Sequence, residues 1–398
     1  MSKQIITTDV IIIGAGIAGL WLHHRLNKMG FHALLLENNT IGNAQTLSSQ
    51  GIIHGGAKYA LNGILSKATQ AIGEMPSRWK DCLSGHGDID LSSVKVLADH
   101  QLMWSKEQLS SKIVSFFASK ALSSRMQTVE KSKQPELFQD PKFKGALYRL
   151  DEPVLDIPSV LKAITEPWQE RILKIPADAD ISWQKEKSVQ SLQIGDNIEI
   201  KAQQFVLTAG EGNQALLDSL GIESPSMQRR PLQMVMCKTK DNQQSLPPIY
   251  AHSLGTGSKP IATITSHFTE DNNVVWYIGG NIAEQGVGKS FEQLTEEAKS
   301  LLSDILPWFE QPELEWATHA VNRAEPKQSA LSRPDTAFVE SIDNVHIAWP
   351  TKLALAPDLA DKIIENLNKQ KLIAGTHASG DVFPQAKVGQ ALWDTKFK

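Results

Sequence analysis

Gly14, Gly16 and Gly19 stand at G-x-G-x-x-G spacing in VIIIGAGIAGL, and Glu37 follows in LLLENN. Residues of these types at these intervals hold a dinucleotide. Gly14 permits a tight turn, Gly16 lets the backbone approach a pyrophosphate, and Gly19 lets a helix pack closely on a strand. A helix N-terminus there offers unpaired N–H groups and a positive dipole end to phosphate. Glu37 can accept both hydrogen bonds of an adenosine ribose diol, and its charge would repel a 2′-phosphate, which disfavours NADP. Alone the glycine spacing is weak evidence. Here strand, helix, second strand and acid follow in the required order.

No other set of residues does chemistry by itself. The chain has no Ser-His-Asp or Cys-His arrangement at recognisable spacing, no H-E-x-x-H and no paired-carboxylate motif. Cys82 and Cys237 stand alone, without C-x-x-C or a histidine cluster, so no metal site is expected and a reduced, cytoplasmic setting is the simplest reading. The chemistry therefore belongs to a bound cofactor. A net charge of -4 over 398 residues argues against an electrostatic nucleic-acid binder. No apolar run reaches the roughly eighteen residues of a membrane span. The residues before the first strand leave no room for a targeting sequence.

The elements that must position these groups follow from pattern. Val10 to Ile13 reads as a buried parallel strand, a helix runs on to about Met29 with Gly30 at its end, and Ala33 to Leu36 forms the second strand. His23 occupies a helix position that usually faces the sheet with a small residue, and a local backbone carbonyl could satisfy it. LSKATQAIGEMPSRWKDCL and KEQLSSKIVSFFASKALSSRM read as helices. The segment from Leu147 reads as a strand, with Asp156 capping a helix that has Pro158 in its first turn. Alternating strands joined at Gly195-Asp196 end in FVLTAGEG. Pro231 to Lys238, Ile261 to Ser266 and Val274 to Gly279 read as sheet strands, with Pro247 to Lys259 as a loop between them. Ser290 to Phe309 is an amphipathic helix, and NVHIAWP is a late strand leading into a last helix near Asn366. His252 and His267 lie on or beside these strands, as core, pocket wall or catalyst.

The run TLSSQGIIHGGAKYAL after the first βαβ unit carries Thr46, Ser48, Ser49, His54, Gly55, Gly56 and Tyr59. Together with the opening motif it resembles the FAD-dependent D-amino-acid oxidase (DAO) superfamily, and most of all its glycerol-3-phosphate dehydrogenase branch. The resemblance implies that this segment passes under the flavin of FAD. Thr46, Ser48 and Ser49 would then lie along the pyrophosphate and ribityl chain, and His54, Gly55 and Gly56 near the isoalloxazine ring. Gly210, in the alanine–glycine pair of FVLTAGEG, would sit beside the cofactor. Arg323 falls where the family places an anion-binding arginine, and arginine suits bidentate carboxylate or phosphate recognition. Thr351, Lys352 and Leu353 occupy a turn that is usually glycine-rich in the family. Lys352 is either a surface lysine or a positive charge beside the flavin. Lys58 replaces the arginine with which glycerol-3-phosphate dehydrogenases hold phosphate, keeping the charge but losing the fork. Gly380-Asp381 reads as a tail turn.

These readings give an α/β (α+β overall) protein with a Rossmann-like FAD-binding domain and a discontinuous antiparallel-sheet substrate domain. Residues 1–75, 145–222 and 320–398 form the first, and 76–144 with 223–319 the second. The expected function is FAD-dependent oxidation of a small anionic CH–OH substrate, glycerol-3-phosphate-like or a 2-hydroxy acid, with hydride passing to flavin N5. His54, Arg323 and Lys58 are the candidate catalytic residues, and the electron acceptor is open. His54 either takes the alcohol proton or only packs against the flavin. An amine or amino-acid oxidase, a non-catalytic flavin- or nucleotide-binding protein, and an NAD-dependent dehydrogenase are the alternatives.

Overall fold

A computed structural model describes residues 3–56, 67–105, 126–241, 244–255, 260–327, 336–375, 377 and 382–397. Lys58, Tyr59, the expected helix after Lys106 and Gly380-Asp381 lie outside the described residues.

The opening unit forms as its pattern requires. β1 (Gln4–Ile13) is buried from Thr8 to Ile13, as a strand covered on both faces must be. α1 (Ile17–Lys28) follows, and then β2 (Ala33–Glu37). Gly30 has φ +92°, and the Phe31 N–H reaches back to the Leu26 carbonyl, which closes the helix end. His23 is fully buried, and burial lowers its pKa to about 3, so it is a neutral core residue.

β1 pairs in parallel with β2 on one side and with Ile198–Leu207 on the other. Val345–Trp349 extends the parallel array beyond Ile198–Leu207, and Ile172–Lys174 extends it beyond β2. Helices α1, Ile157–Thr165 and Ala356–Lys369 cover one face in a single apolar cluster. Asp156 caps the second of these through the Ser159 N–H.

The second sheet has the strand order Leu314–Pro326, Met227–Thr239, Val274–Gly279, Pro260–Phe268, Tyr250–Leu254, Gln101–Ser105, Ala146–Leu150, Met126–Thr128. Every pair is antiparallel except Tyr250–Leu254 with Gln101–Ser105. Phe291–Ile305, with the expected Ser290 start, backs it with Leu294, Ala298 and Leu302 fully buried.

Three expectations change. Residues 146–150 do not return to the first sheet, because they pair with Gln101–Ser105 and bury Leu147 and Leu150 in the second layer. Tyr250–Leu254 is a strand inside the stretch read as loop, its alternation hidden between Pro247-Pro248 and Gly255. Residues 320–326 belong to a strand in register with Met227–Thr239 along thirteen residue pairs, so Arg323 stands on the second sheet.

Candidate functional site

Four neighbouring parallel strands end at one place, and chains leaving such ends line a crevice where ligands bind. β1 leads to Gly14, β2 ends at Glu37, Ile198–Leu207 leads to Gly210, and Val345–Trp349 leads to Thr351, Lys352 and Leu353. Three of these turns need positive φ: +106° at Gly14, +59° at Gly210 and +61° at Thr351. A cavity of about 1010 Å³ lies against these ends and runs on to the inner face of the second sheet. Its lining includes Gly14, Gly16, Glu37, Thr46, Ser48, Ser49, His54, Gly210, Arg323, Thr351, Lys352 and Leu353.

The glycines differ in what surrounds them. A Cβ on Gly14 would lie 2.5 Å from Ala209 Cα, and one on Gly19 would lie 2.1 Å from the Gly14 carbonyl oxygen. A Cβ on Gly16 would meet only Thr46 Oγ1, at 3.4 Å, and would otherwise take up cavity space. Gly16 is therefore open to a ligand, while Gly14 and Gly19 are closed by the protein. Thr46 Oγ1 accepts the Ile17 N–H at 3.1 Å, so it caps α1 from within the cavity wall. No acidic side chain stands in the first turn of α1, which leaves this helix end suited to phosphate.

Glu37 is held by two backbone amides, Ala15 N–H on Oε2 and Asn39 N–H on Oε1, each at 2.8 Å. A carboxylate oxygen has a second lone pair, so the fixed group can still accept from a diol. Ser48 donates to the Ala44 carbonyl and receives His319 Nε2 at 2.8 Å. Burial lowers the His319 pKa to about 4, so that ring is neutral and its Nε2–H donates. Ser49 Oγ is buried in the cavity wall with no hydrogen-bond partner among the described residues. An orphan hydroxyl of this kind calls for a ligand or water to satisfy it. The open Gly16, the helix start without an acid, the fixed Glu37 and the orphan Ser49 together fit a dinucleotide with a polyol chain.

His54 lines the same cavity beyond these groups. Its Nδ1 lies 3.2 Å from Glu152 Oε2, while Glu152 Oε1 accepts the Gly55 N–H at 2.7 Å. Glu152 is buried. A carboxylate oxygen accepts, so Nδ1 is the donor in this pair. His252 stacks on His54 with centroids 6.0 Å apart and bonds Thr263 Oγ1 at 2.7 Å. Gln50 ties the segment that carries His54 to the second sheet by donating to the Thr263 and Tyr277 carbonyls, both at 3.0 Å.

The far wall is cationic and acidic in equal measure. Arg230 and Arg323 face each other in register on adjacent strands, and both line the cavity. Arg230 Nη1 lies 3.4 Å from Glu325, which is buried, and Arg323 Nη2 lies 3.9 Å from Glu284, a second lining residue. Planar guanidinium groups in this setting suit a carboxylate or phosphate.

Three candidate residues stand apart from the described lining. Gly55 and Gly56 are not among the described lining residues; the Gly55 amide holds Glu152, and Pro76 packs where its side chain would be. His267 is buried and stacked on Trp393 at 4.0 Å, away from the cavity, with its pKa lowered to about 3 by burial. Arg230, Glu152, Glu284 and Thr263 belong to no motif that marks them in the sequence. Alternation could have found Arg230, because it shares a face with Leu232 and Met234, which also line the cavity.

Residues 9–345 match the family DAO, described as FAD dependent oxidoreductase. A probable FAD-dependent oxidoreductase of Pseudomonas aeruginosa is 43% identical over 395 residues, covering 99% of each chain. Its crystal structure superposes with a TM-score of 0.86, again over 99% of both chains, at 38% identity in that alignment. A chain of the anaerobic glycerol-3-phosphate dehydrogenase of Haemophilus influenzae is 39% identical over 57 residues, 14% of this chain and 10% of that one. Glycine oxidase from Geobacillus kaustophilus shares the fold, with a TM-score of 0.66 at 13% identity, over 95% of this chain and 97% of its own.

Proposed function

This chain belongs to the DAO family of FAD-dependent oxidoreductases, and from that premise we propose that it oxidises a small anionic CH–OH compound. A 2-hydroxy acid or a glycerol-3-phosphate-like molecule fits that description. The observation that carries the reading is the His54–Glu152 pair at the cavity wall. An alcohol must lose its O–H proton as its C–H bond is broken, and a histidine with Nδ1 fixed by a buried carboxylate presents Nε2 to take it. Neutral amines need no such base. FAD, when bound, accepts the hydride and supplies the redox step.

The other residues hold and orient. Arg323 takes the substrate anion with Arg230 beside it, and the alternating apolar residues Leu232, Met234 and Val321 exclude water there. Gly16 and the start of α1 would hold the pyrophosphate, with Gly14 making the turn and Gly19 the close helix packing that set them there; Glu37 would hold the ribose, and Thr46, Ser48, Ser49 and Gly210 the polyol side. Thr351, Lys352 and Leu353 place a positive charge and backbone amides beside the ring system. Lys58 stays a candidate for the substrate anion by sequence alone. Among the described residues no helix is long and apolar enough to cross a membrane, and a cytoplasmic location is part of this proposal.

One observation favours an amino-acid substrate instead: Glu284 beside Arg323 could accept an ammonium group while the arginine holds a carboxylate. The test is anaerobic addition of hydroxy acids, glycerol 3-phosphate, glycine and proline to the holoenzyme. Bleaching of the flavin bands by a hydroxy compound, slowed in His54→Asn, is expected. Bleaching by the amino acids alone, at an unchanged rate in His54→Asn, would move the assignment to amine oxidation.

A further inference from the structure

The wall that would receive the substrate anion carries four charges that cancel. Arg230 and Arg323 line the cavity as a cross-strand pair. Each has a carboxylate close to it: Glu325 at 3.4 Å from Arg230, and Glu284 at 3.9 Å from Arg323. The two carboxylates differ in place. Glu325 has a side chain only 3% exposed and stands behind the arginine, whereas Glu284, at 31%, faces the cavity itself. Glu284 comes from the short helix Asn281–Gln285, directly after the Val274–Gly279 strand, so it enters beside the arginine from a separate element. The other charged groups of the described lining are Glu37, Glu211 and Lys352, so the lining itself carries three acids and three bases, with Glu325 as a further acid behind it.

We propose that Glu284 determines which anions the site admits, favouring monoanionic carboxylates over dianionic phosphate esters. This rests on the reading that the substrate is a small anion held at Arg323. The argument is Coulombic. An anion seated on Arg323 lies within a few ångströms of Glu284, and the repulsion grows in proportion to the charge the ligand brings. A monoanion replaces water on one guanidinium and meets one negative neighbour. A dianion meets the same neighbour with twice the charge, while the second positive charge it needs, Arg230, is already neutralised by a carboxylate that cannot leave. The wall thus rejects by repulsion as well as selecting by attraction. Among the expected substrates it points to the 2-hydroxy acid.

The test is a titration of wild-type holoenzyme and Glu284→Gln at fixed ionic strength, because exposed charges are screened by salt. Acetate and lactate serve as monoanions, sulfate and glycerol 3-phosphate as dianions, and the shift of the flavin absorbance reports binding. Removing one charge without changing shape is expected to tighten monoanions about tenfold and dianions by about the square of that. Equal affinities in the two proteins would overturn the proposal. So would the same gain for both charge classes, weaker binding in the variant, or no response of either protein to any of these anions. Glycine and proline, added to the wild-type holoenzyme in parallel with lactate, show which of the three bleaches the flavin. An amine-only result would refute the hydroxy-acid reading, while the charge dependence would still decide the role of Glu284.

Discussion

His54 enters the cavity with one ring nitrogen committed to Glu152, so replacing the ring tests what the other nitrogen does. His54→Asn is expected to keep bound FAD and to slow flavin bleaching by the substrate about 10²–10⁴-fold, the range typical of a lost general base. A stopped-flow trace at the wild-type rate would leave the histidine as a wall of the cavity. Arg323→Ala is expected to raise the apparent Kd of an anionic substrate about 10–100-fold, as loss of a charge-assisted hydrogen bond does, with much less effect on the limiting rate. At this scale the sequence was readable only in part. His54 and Arg323 were reached through resemblance, but Glu152 lies 98 residues from the histidine it orients and Arg230 lies 93 from its cross-strand partner. Glu152 has no neighbour in the sequence that marks its use, and Arg230 is marked only by its alternation with Leu232 and Met234.

At the scale of elements, the first βαβ unit was legible because its constraints are local. A buried strand, a turn that forbids side chains and a helix that must touch the strand each demand particular residues in a short span. The glycines make a test of that logic. Gly19→Ala would drive a Cβ into the Gly14 carbonyl, so the variant is expected to unfold or aggregate on expression. Gly16→Ala meets only a side-chain oxygen at 3.4 Å, so it is expected to fold and to purify largely without FAD. Thermal melts of the two apoproteins with a flavin assay would separate these outcomes, and a Gly16→Ala protein that retains full flavin would place the pyrophosphate elsewhere. The second sheet was less legible. Gln101–Ser105 begins and ends in polar residues although all five are buried, and Tyr250–Leu254 is bracketed by prolines and glycines, so neither announced itself as a strand.

Across the whole molecule, several histidines are held neutral by burial. Burial lowers the pKa of His23 and His267 to about 3, and of His32, His319 and His346 to about 4. In the unfolded chain each would titrate near 6.5. Between these limits the unfolded state binds more protons than the folded state, so stability rises with pH and falls on acidification. The contribution is fully present above about pH 6.5 and drains away towards pH 4. Asp361, whose Arg78 and Arg25 partners hold its carboxyl low against the opposing effect of burial, titrates below that window. The Tm is therefore expected to fall steadily from pH 7 to pH 5. A Tm that stays flat over that interval would mean that these rings are protonated or exposed in the folded protein.

The two sheets divide the work. On the proposed reading, one would end its parallel strands at the cofactor and the other would present a polar and charged wall to the substrate, with His54 between them. The most direct test of that account is the visible spectrum of the purified holoenzyme during anaerobic addition of 2-hydroxy acids, glycerol 3-phosphate, glycine and proline in turn. The account predicts flavin bands that bleach with a 2-hydroxy acid and persist with the amino acids. Bleaching by glycine or proline while every hydroxy compound leaves the bands intact would contradict it.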